Sequence, residues 1–246
     1  MAAGAFVLLH RSSPQQEPDG CTVSAGAGSY TLDLAQAANA AVIAAAGARA
    51  GLPDHAVSVA LATALQESKL HNLPFGDRDS VGLFQQRPSQ GWGPPASLLD
   101  PHFAAGAFYA HLAKVPHWQS RPVADAAQAV QRSASGAAYA AWEPEARALA
   151  QALTGQVPHG LGCSYARASS TSAGLATAIT RDLGPGATGR AVSVKTGWRV
   201  ASWLVAQAAQ YDVAGVSFAG QRWTRTTGRW SPHAGPAGVS YALSRP

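Results

Sequence analysis

One carboxylate in this sequence stands where proton chemistry is easiest to build. In "ALQESKLHNLPFGDRDSVGLFQQRPSQGWG", residues 64–93, a helix-like run ends on Glu67, crosses a loop rich in Gly and Asp, and reaches Gln85, Gln86 and Trp92. On a helix, Glu67 lies beside Ala60 and Ala64, at the flank of an apolar stripe. Burial and the negative end of the helix dipole both disfavour the carboxylate form there. A carboxyl group that keeps its proton near neutral pH is what protonation of a glycosidic oxygen requires. The plain alternative is an exposed helix end whose Glu67 pairs with Lys69 or Arg78. The residues downstream favour the first reading. The amides of Gln85 and Gln86 are neutral donors and acceptors and Trp92 is an apolar plate, a set suited to the hydroxyls and ring faces of a sugar. Asp77 and Asp79 sit on the intervening loop, where either activates a water or closes the turn through bonds to its own backbone.

The elements that must position these groups are mostly helical. Val57, Ala60, Leu61, Ala64 and Leu65 make a core-facing stripe, which predicts a helix over 53–68; another precedes it over 31–50, with Gly51 between them. Further helical runs cover 101–114, 123–133 and 144–154, so the first part is expected to be nearly all helix. "ARASSTSAG", residues 166–174, has linker composition. Beyond it the periods mix. "GLATAITRDLG" predicts a helix, "AVSVKT" a strand and "WRVASWLVAQAAQYD" a second helix; "VAGVSFAG" and "QRWTRTTGRW" predict strands around a turn, and "GVSYAL" a closing strand. The expected fold is α+β overall. It divides into a signal or anchor remnant with a linker (1–20), a mainly α-helical domain (21–163), a linker (164–174) and a small α/β domain (175–246).

Composition bounds the function. With 47% hydrophobic and only 13% charged residues over 246 positions, the chain is globular rather than disordered. A net charge of +5 suits an anionic polymer or surface, yet the cations form no run. The one basic and aromatic mix, Arg222 to Arg229, reads as a solvated strand face, and no nucleic-acid partner is expected. Ala2 to Leu9 is apolar but too short for a bilayer, which needs about 20 residues. It reads as the remnant of an export signal or membrane anchor, or as a frayed terminus. Cys21 and Cys163 match neither a redox nor a zinc motif. In an exported chain they would form a disulfide closing a long loop, contributing up to ~4 kcal/mol, the alternative being two buried thiols. His102, His111 and His117 lack ligand spacing, so no metal is expected; no phosphate loop, nucleophile elbow or dinucleotide fingerprint is present, so no cofactor is expected.

"ALQESKL" followed by "DSVGLFQQRP" resembles the signature of the superfamily of goose-type lysozymes and soluble lytic transglycosylases, in which a helix-ending "ES" precedes a "GL-x-Q" segment. "RPSQGWG", the pair Phe108-Tyr109 and "AVQRSA" (residues 129–134) are similar to those of a secreted actinobacterial group carrying a small C-terminal domain. The resemblance spans about residues 30–155 and, less specifically, the C-terminal module. It implies a lysozyme-like domain with Glu67 as general acid, then base, while Ser68, Gln85 and Gln86 line the cleft and Tyr109 stands nearby unless it is a core aromatic. Relatives carry a Tyr-Asn pair where this chain has "AVQRSASGAAY", so Gln131 or Tyr139 takes that contact. Together with Asp79 and Trp92 these residues make up the expected substrate site. The implied partner is the glycan strand of peptidoglycan, cut between N-acetylmuramic acid and N-acetylglucosamine, by a monomer outside the cell or in its envelope. A non-catalytic wall-binding protein with the same cleft is the alternative.

Overall fold

A computed structural model of the chain describes residues 18–26, 28–132, 137–166 and 172–244. The apolar run Ala2–Leu9, most of the linker after it, residues 133–136 of the "AVQRSA" region and residues 167–171 of the second linker lie outside the described residues.

The chain is α+β, and its first part contains a sheet that periodicity alone did not suggest. Strand β1 (Gly20–Ala25) buries Cys21, Val23 and Ala25 and turns Thr22 and Ser24 outward. Strand β2 (Gly28–Leu32) returns antiparallel to it, which moves the start of the first helix beyond Thr31. Helix α1 (Leu34–Arg49) opens on a capping box: Asp33 accepts the Gln36 N–H while the Gln36 side chain accepts from the Asp33 N–H. Helix α2 (Asp54–Ser68) is the central element, with every residue from Ala56 to Leu65 buried. Small side chains make that possible, because neighbouring helices can approach on several sides. The other helices of this part are α3 (Pro95–Leu98), α4 (Pro101–Leu112), α5 (Val123–Gln131), α6 (Ala137–Ala140) and α7 (Glu143–Leu153). Strand β3 (Leu161–Ser164) then pairs with the free side of β1, giving the order β2-β1-β3. Cys21 lies directly opposite Cys163 in that register, and the two are joined as a disulfide.

The C-terminal part begins with helices α8 (Leu175–Leu183), α9 (Val194–Ala206) and α10 (Ala208–Tyr211). "AVSVKT" is not a strand, for Ser193 accepts the Thr196 N–H and caps α9. Val194 and Thr196, two of the β-branched residues that suggested extension, sit in its first turn, where the cap outweighs their propensity. Strands β4 (Val213–Phe218), β5 (Gln221–Thr224), β6 (Trp230–Pro232) and β7 (Ser240–Leu243) follow, forming an antiparallel sheet in the order β6-β5-β4-β7.

Buried residues of the two parts run together in one cluster. Trp198 and Trp203 belong to it, at 3% and 2% exposure. The indole N–H groups of Trp223 and Trp230 donate to the carbonyls of Cys163 and Leu161, both on β3. Gln207 donates to Ala38 O on α1. A charged contact completes the seam: the buried Asp182 carboxylate accepts from Arg181 Nε and Trp203 Nε1, and lies 3.0 Å from His102 Nε2 of α4. That imidazole is within ion-pairing distance but off the line of a linear hydrogen bond. Among the described residues no helix is long and apolar enough to cross a membrane.

Candidate active site

Glu67 occupies the last turn of α2 and is partly exposed. The turn after it is unusual. Lys69 and Leu70 are both left-handed, with φ of 54° and 61°, and neither is glycine. Such a conformation costs on the order of 1 kcal/mol or more per residue and persists only where the surroundings impose it. They do so here. The Lys69 carbonyl accepts from Gln36 Nε2, the Leu70 carbonyl from Asn39 Nδ2, and the Leu70 N–H donates back to Ala64 O. His71 Nε2 lies 2.8 Å from Asp33 Oδ2, so the residue that caps α1 also holds the exit from α2. Burial opposes ionisation of Asp33, but the Gln36 N–H and His71 outweigh it and hold the carboxyl below its usual range.

Four residues singled out in the sequence converge on this helix end. Tyr139, buried on α6, donates its hydroxyl to Glu67 Oε1 at 2.7 Å. Glu67 Oε2 has no hydrogen bond among the described residues, so one carboxyl oxygen is anchored and the other is available. Ser68 Oγ reaches Leu83 O at 2.7 Å and Ala64 O at 3.1 Å, and Gln131 Nε2 donates to Phe84 O at 2.8 Å. Ser68 and Gln131 thus fasten the 83–84 backbone between the ends of α2 and α5, rather than presenting free polar atoms to a ligand.

The other expected contacts lie elsewhere. Gln86 is 1% exposed and donates to Ala104 O, so it belongs to the interior. Gln85, left-handed with φ 47°, folds its amide back onto Phe75 O and Gly82 O. Trp92 stacks on His111 with ring centroids 3.9 Å apart. Tyr109 is a core residue whose hydroxyl donates to Ile43 O, and complete burial pushes its pKa far up. Asp79 accepts from Arg87 Nε, the Ser89 N–H and Ser89 Oγ. These bonds, the Ser89 N–H first, hold its carboxyl well below the usual range. It is therefore a loop anchor by geometry. Asp77 is 92% exposed at its side chain.

Gly82 explains how the loop closes. Its φ is 79°, and a Cβ there would stand 2.4 Å from Leu98 O. Only glycine meets both demands. The adjoining bridge between Val81 and Gln86 turns the chain back beneath the end of α2.

Trp142 and Glu145, which the sequence did not single out, complete the surroundings. Trp142 donates its indole N–H to Gln66 Oε1, and Lys69 Nζ stands 3.9 Å over its ring. Glu145 lies on the same face of α7; burial pushes its pKa up, with Lys69 opposing. The three-residue spacing in "WEPE" was the available signal. Among the described residues no group of three or more His, Cys, Asp or Glu is placed to hold a metal.

The sequence matches no protein-family model, and a search of curated proteins finds no match.

Proposed function

We propose that this chain is an exported glycosidase of peptidoglycan, with Glu67 as its general acid. The observation that carries the reading is the Tyr139–Glu67 bond: it fixes one carboxyl oxygen and leaves the other without a partner among the described residues, at a partly exposed helix end. A general acid needs that combination of restraint and reach. The resemblance of "ALQESKL…GLFQQRP" to the lysozyme-like superfamily supplies the substrate class, and the disulfide suits an oxidising compartment.

In this reading the free oxygen of Glu67 delivers its proton to the bridging glycosidic oxygen as the C1–O bond breaks. Hydrolysis by inversion needs a second carboxylate to activate water. Asp79 is engaged three times within its own loop, which leaves only the exposed Asp77 on that loop for this role; the other route is one assisted by the substrate. The N-acetyl oxygen of the sugar attacks C1. Glu67, now a carboxylate, accepts the proton of the sugar's C6 hydroxyl as that oxygen displaces it, leaving a 1,6-anhydro end.

A zymogram with purified cell wall tests the assignment. Wild-type protein is expected to clear the wall, and Glu67→Gln to lose about 100-fold or more of that activity. Clearing at equal rates would remove Glu67 from the role. Mass spectrometry of the products reads the route, by the presence or absence of anhydro ends.

A further inference from the structure

A cleft lies where the two sheets meet, and it shares no lining residue with the surroundings of Glu67. Its volume is about 450 Å³. One wall is the outward face of β1, carrying Thr22 and Ser24; the other is the β5–β6 hairpin, with Gln221, Arg229 and Trp230, and His159 stands at the junction. The walls meet tightly at their base, where a Cβ on Gly162 would lie 2.1 Å from Gly228 O.

Three properties define what fits. First, Trp230 is a fixed plate. Its indole N–H is held by Leu161 O at 2.8 Å, and its ring packs edge-on against Trp198 at 5.1 Å. Its partly exposed surface therefore lines the cleft without having to be ordered on binding. Second, the polar groups around it are mostly neutral. The Thr22 hydroxyl and the Gln221 amide make no side-chain hydrogen bond among the described residues, and burial lowers the pKa of His159, favouring its neutral form. Third, the outward acceptors of β3 are taken. The carbonyls of Leu161 and Cys163 already accept the indoles of Trp230 and Trp223, and the Tyr165 N–H donates to Arg225 O. An incoming strand would not find those carbonyls free to extend a ladder from β3. A lone arginine is too little charge to follow a phosphate backbone. The remaining class has a flat apolar face and many neutral hydroxyls.

We propose that this cleft is a binding site for a neutral saccharide, one to two sugar units long, stacked on Trp230 and hydrogen-bonded by Thr22 and Gln221. It stands apart from the Glu67 chemistry and holds whether or not that chemistry is correct. Because both sheets contribute walls, the site exists only when the two parts of the chain are docked.

The test uses the full chain carrying Glu67→Gln, labelled with ¹⁵N and titrated with the tetramer of N-acetylglucosamine. The seven indole N–H resonances separate the sites, Trp230 reporting this cleft and Trp142 the end of α2. The Trp230 resonance is expected to move with added tetramer. Affinity read from it should weaken roughly three- to tenfold in Thr22→Val and in Gln221→Ala, neither of which disturbs a buried group. Trp230→Ala should abolish the site, and the two milder variants decide the matter if that chain does not fold. An unmoved Trp230 resonance at millimolar tetramer, or unchanged affinity in both milder variants, overturns the proposal. Absence of wall clearing by the wild-type chain would overturn the catalytic reading alone and leave these measurements intact.

Discussion

Tyr139 and Glu67 are 72 residues apart in sequence and 2.7 Å apart at their oxygens, so the orientation of the carboxyl group is set by α6 rather than by the helix that carries it. Tyr139→Phe keeps the buried ring and deletes the hydroxyl that anchors Glu67. Wall-clearing activity is expected to fall about 10- to 100-fold, the range that misplacement of a reacting group commonly produces, while the circular dichroism spectrum stays unchanged. Full activity in this variant would mean that the bond does not position the acid.

The His102–Asp182 contact makes stability depend on pH. The Asp182 carboxylate raises the pKa of His102 above its ordinary value, with burial opposing; burial would raise Asp182, but His102 and Arg181 hold it low. A raised histidine contributes fully below its ordinary value and loses the contribution as pH climbs through the folded value. A depressed aspartate contributes above its ordinary value and loses it as pH falls through the folded value. Both act together between the ordinary values of 3.8 and 6.5. Urea midpoints should accordingly fall from pH 6 to pH 8 in wild type, and less steeply in His102→Gln. Identical slopes would refute the coupling.

Reduction should weaken the chain substantially. The Cys21–Cys163 bond closes a loop of 142 residues, and its removal by Cys163→Ser is expected to lower unfolding free energy by about 2–5 kcal/mol. Denaturant titrations of wild type with and without reductant should bracket the same difference. An effect below 1 kcal/mol, on this scale of loop stabilisation, would show that pairing of β1 with β3 is self-sufficient.

Gly82→Ala combines a left-handed backbone with a collision at Leu98 O. A loss of about 1–3 kcal/mol is expected, accompanied by reduced wall clearing because the same loop carries Leu83 and Phe84. A thermal scan that leaves Tm unmoved would contradict this account of the turn.

Local patterns were legible where local physics decides. The stripe from Val57 to Leu65 predicted α2 and put Glu67 in its final turn, and strands β4 and β5 lie within the runs "VAGVSFAG" and "QRWTRTTGRW" that predicted them. β1 and β3 went unpredicted: "GCTVSA" does alternate apolar and polar residues, but "LGCS" is only four residues long, and the pairing that joins them spans some 140 residues. The twin cysteines were their one sequence trace. Gln85 and Gln86 were expected to face a ligand, since their amides suit a sugar, and Asp79 either to join that site by activating water or to shape its turn. Each satisfies backbone or side-chain groups of its own region, a use of polar residues that spacing cannot distinguish from recognition. Tyr109 was open to two readings, and its bond to Ile43 O selects the interior.

The left-handed pair Lys69–Leu70 also couples the end of α2 that carries Glu67 to helix α1. Both carbonyls are held by α1 side chains, Gln36 and Asn39, in addition to the N–H bonds that Lys69 and Leu70 make to Leu65 O and Ala64 O of α2. Loosening α1 would therefore slacken the last turn of α2, and with it the direction of Glu67 relative to Tyr139.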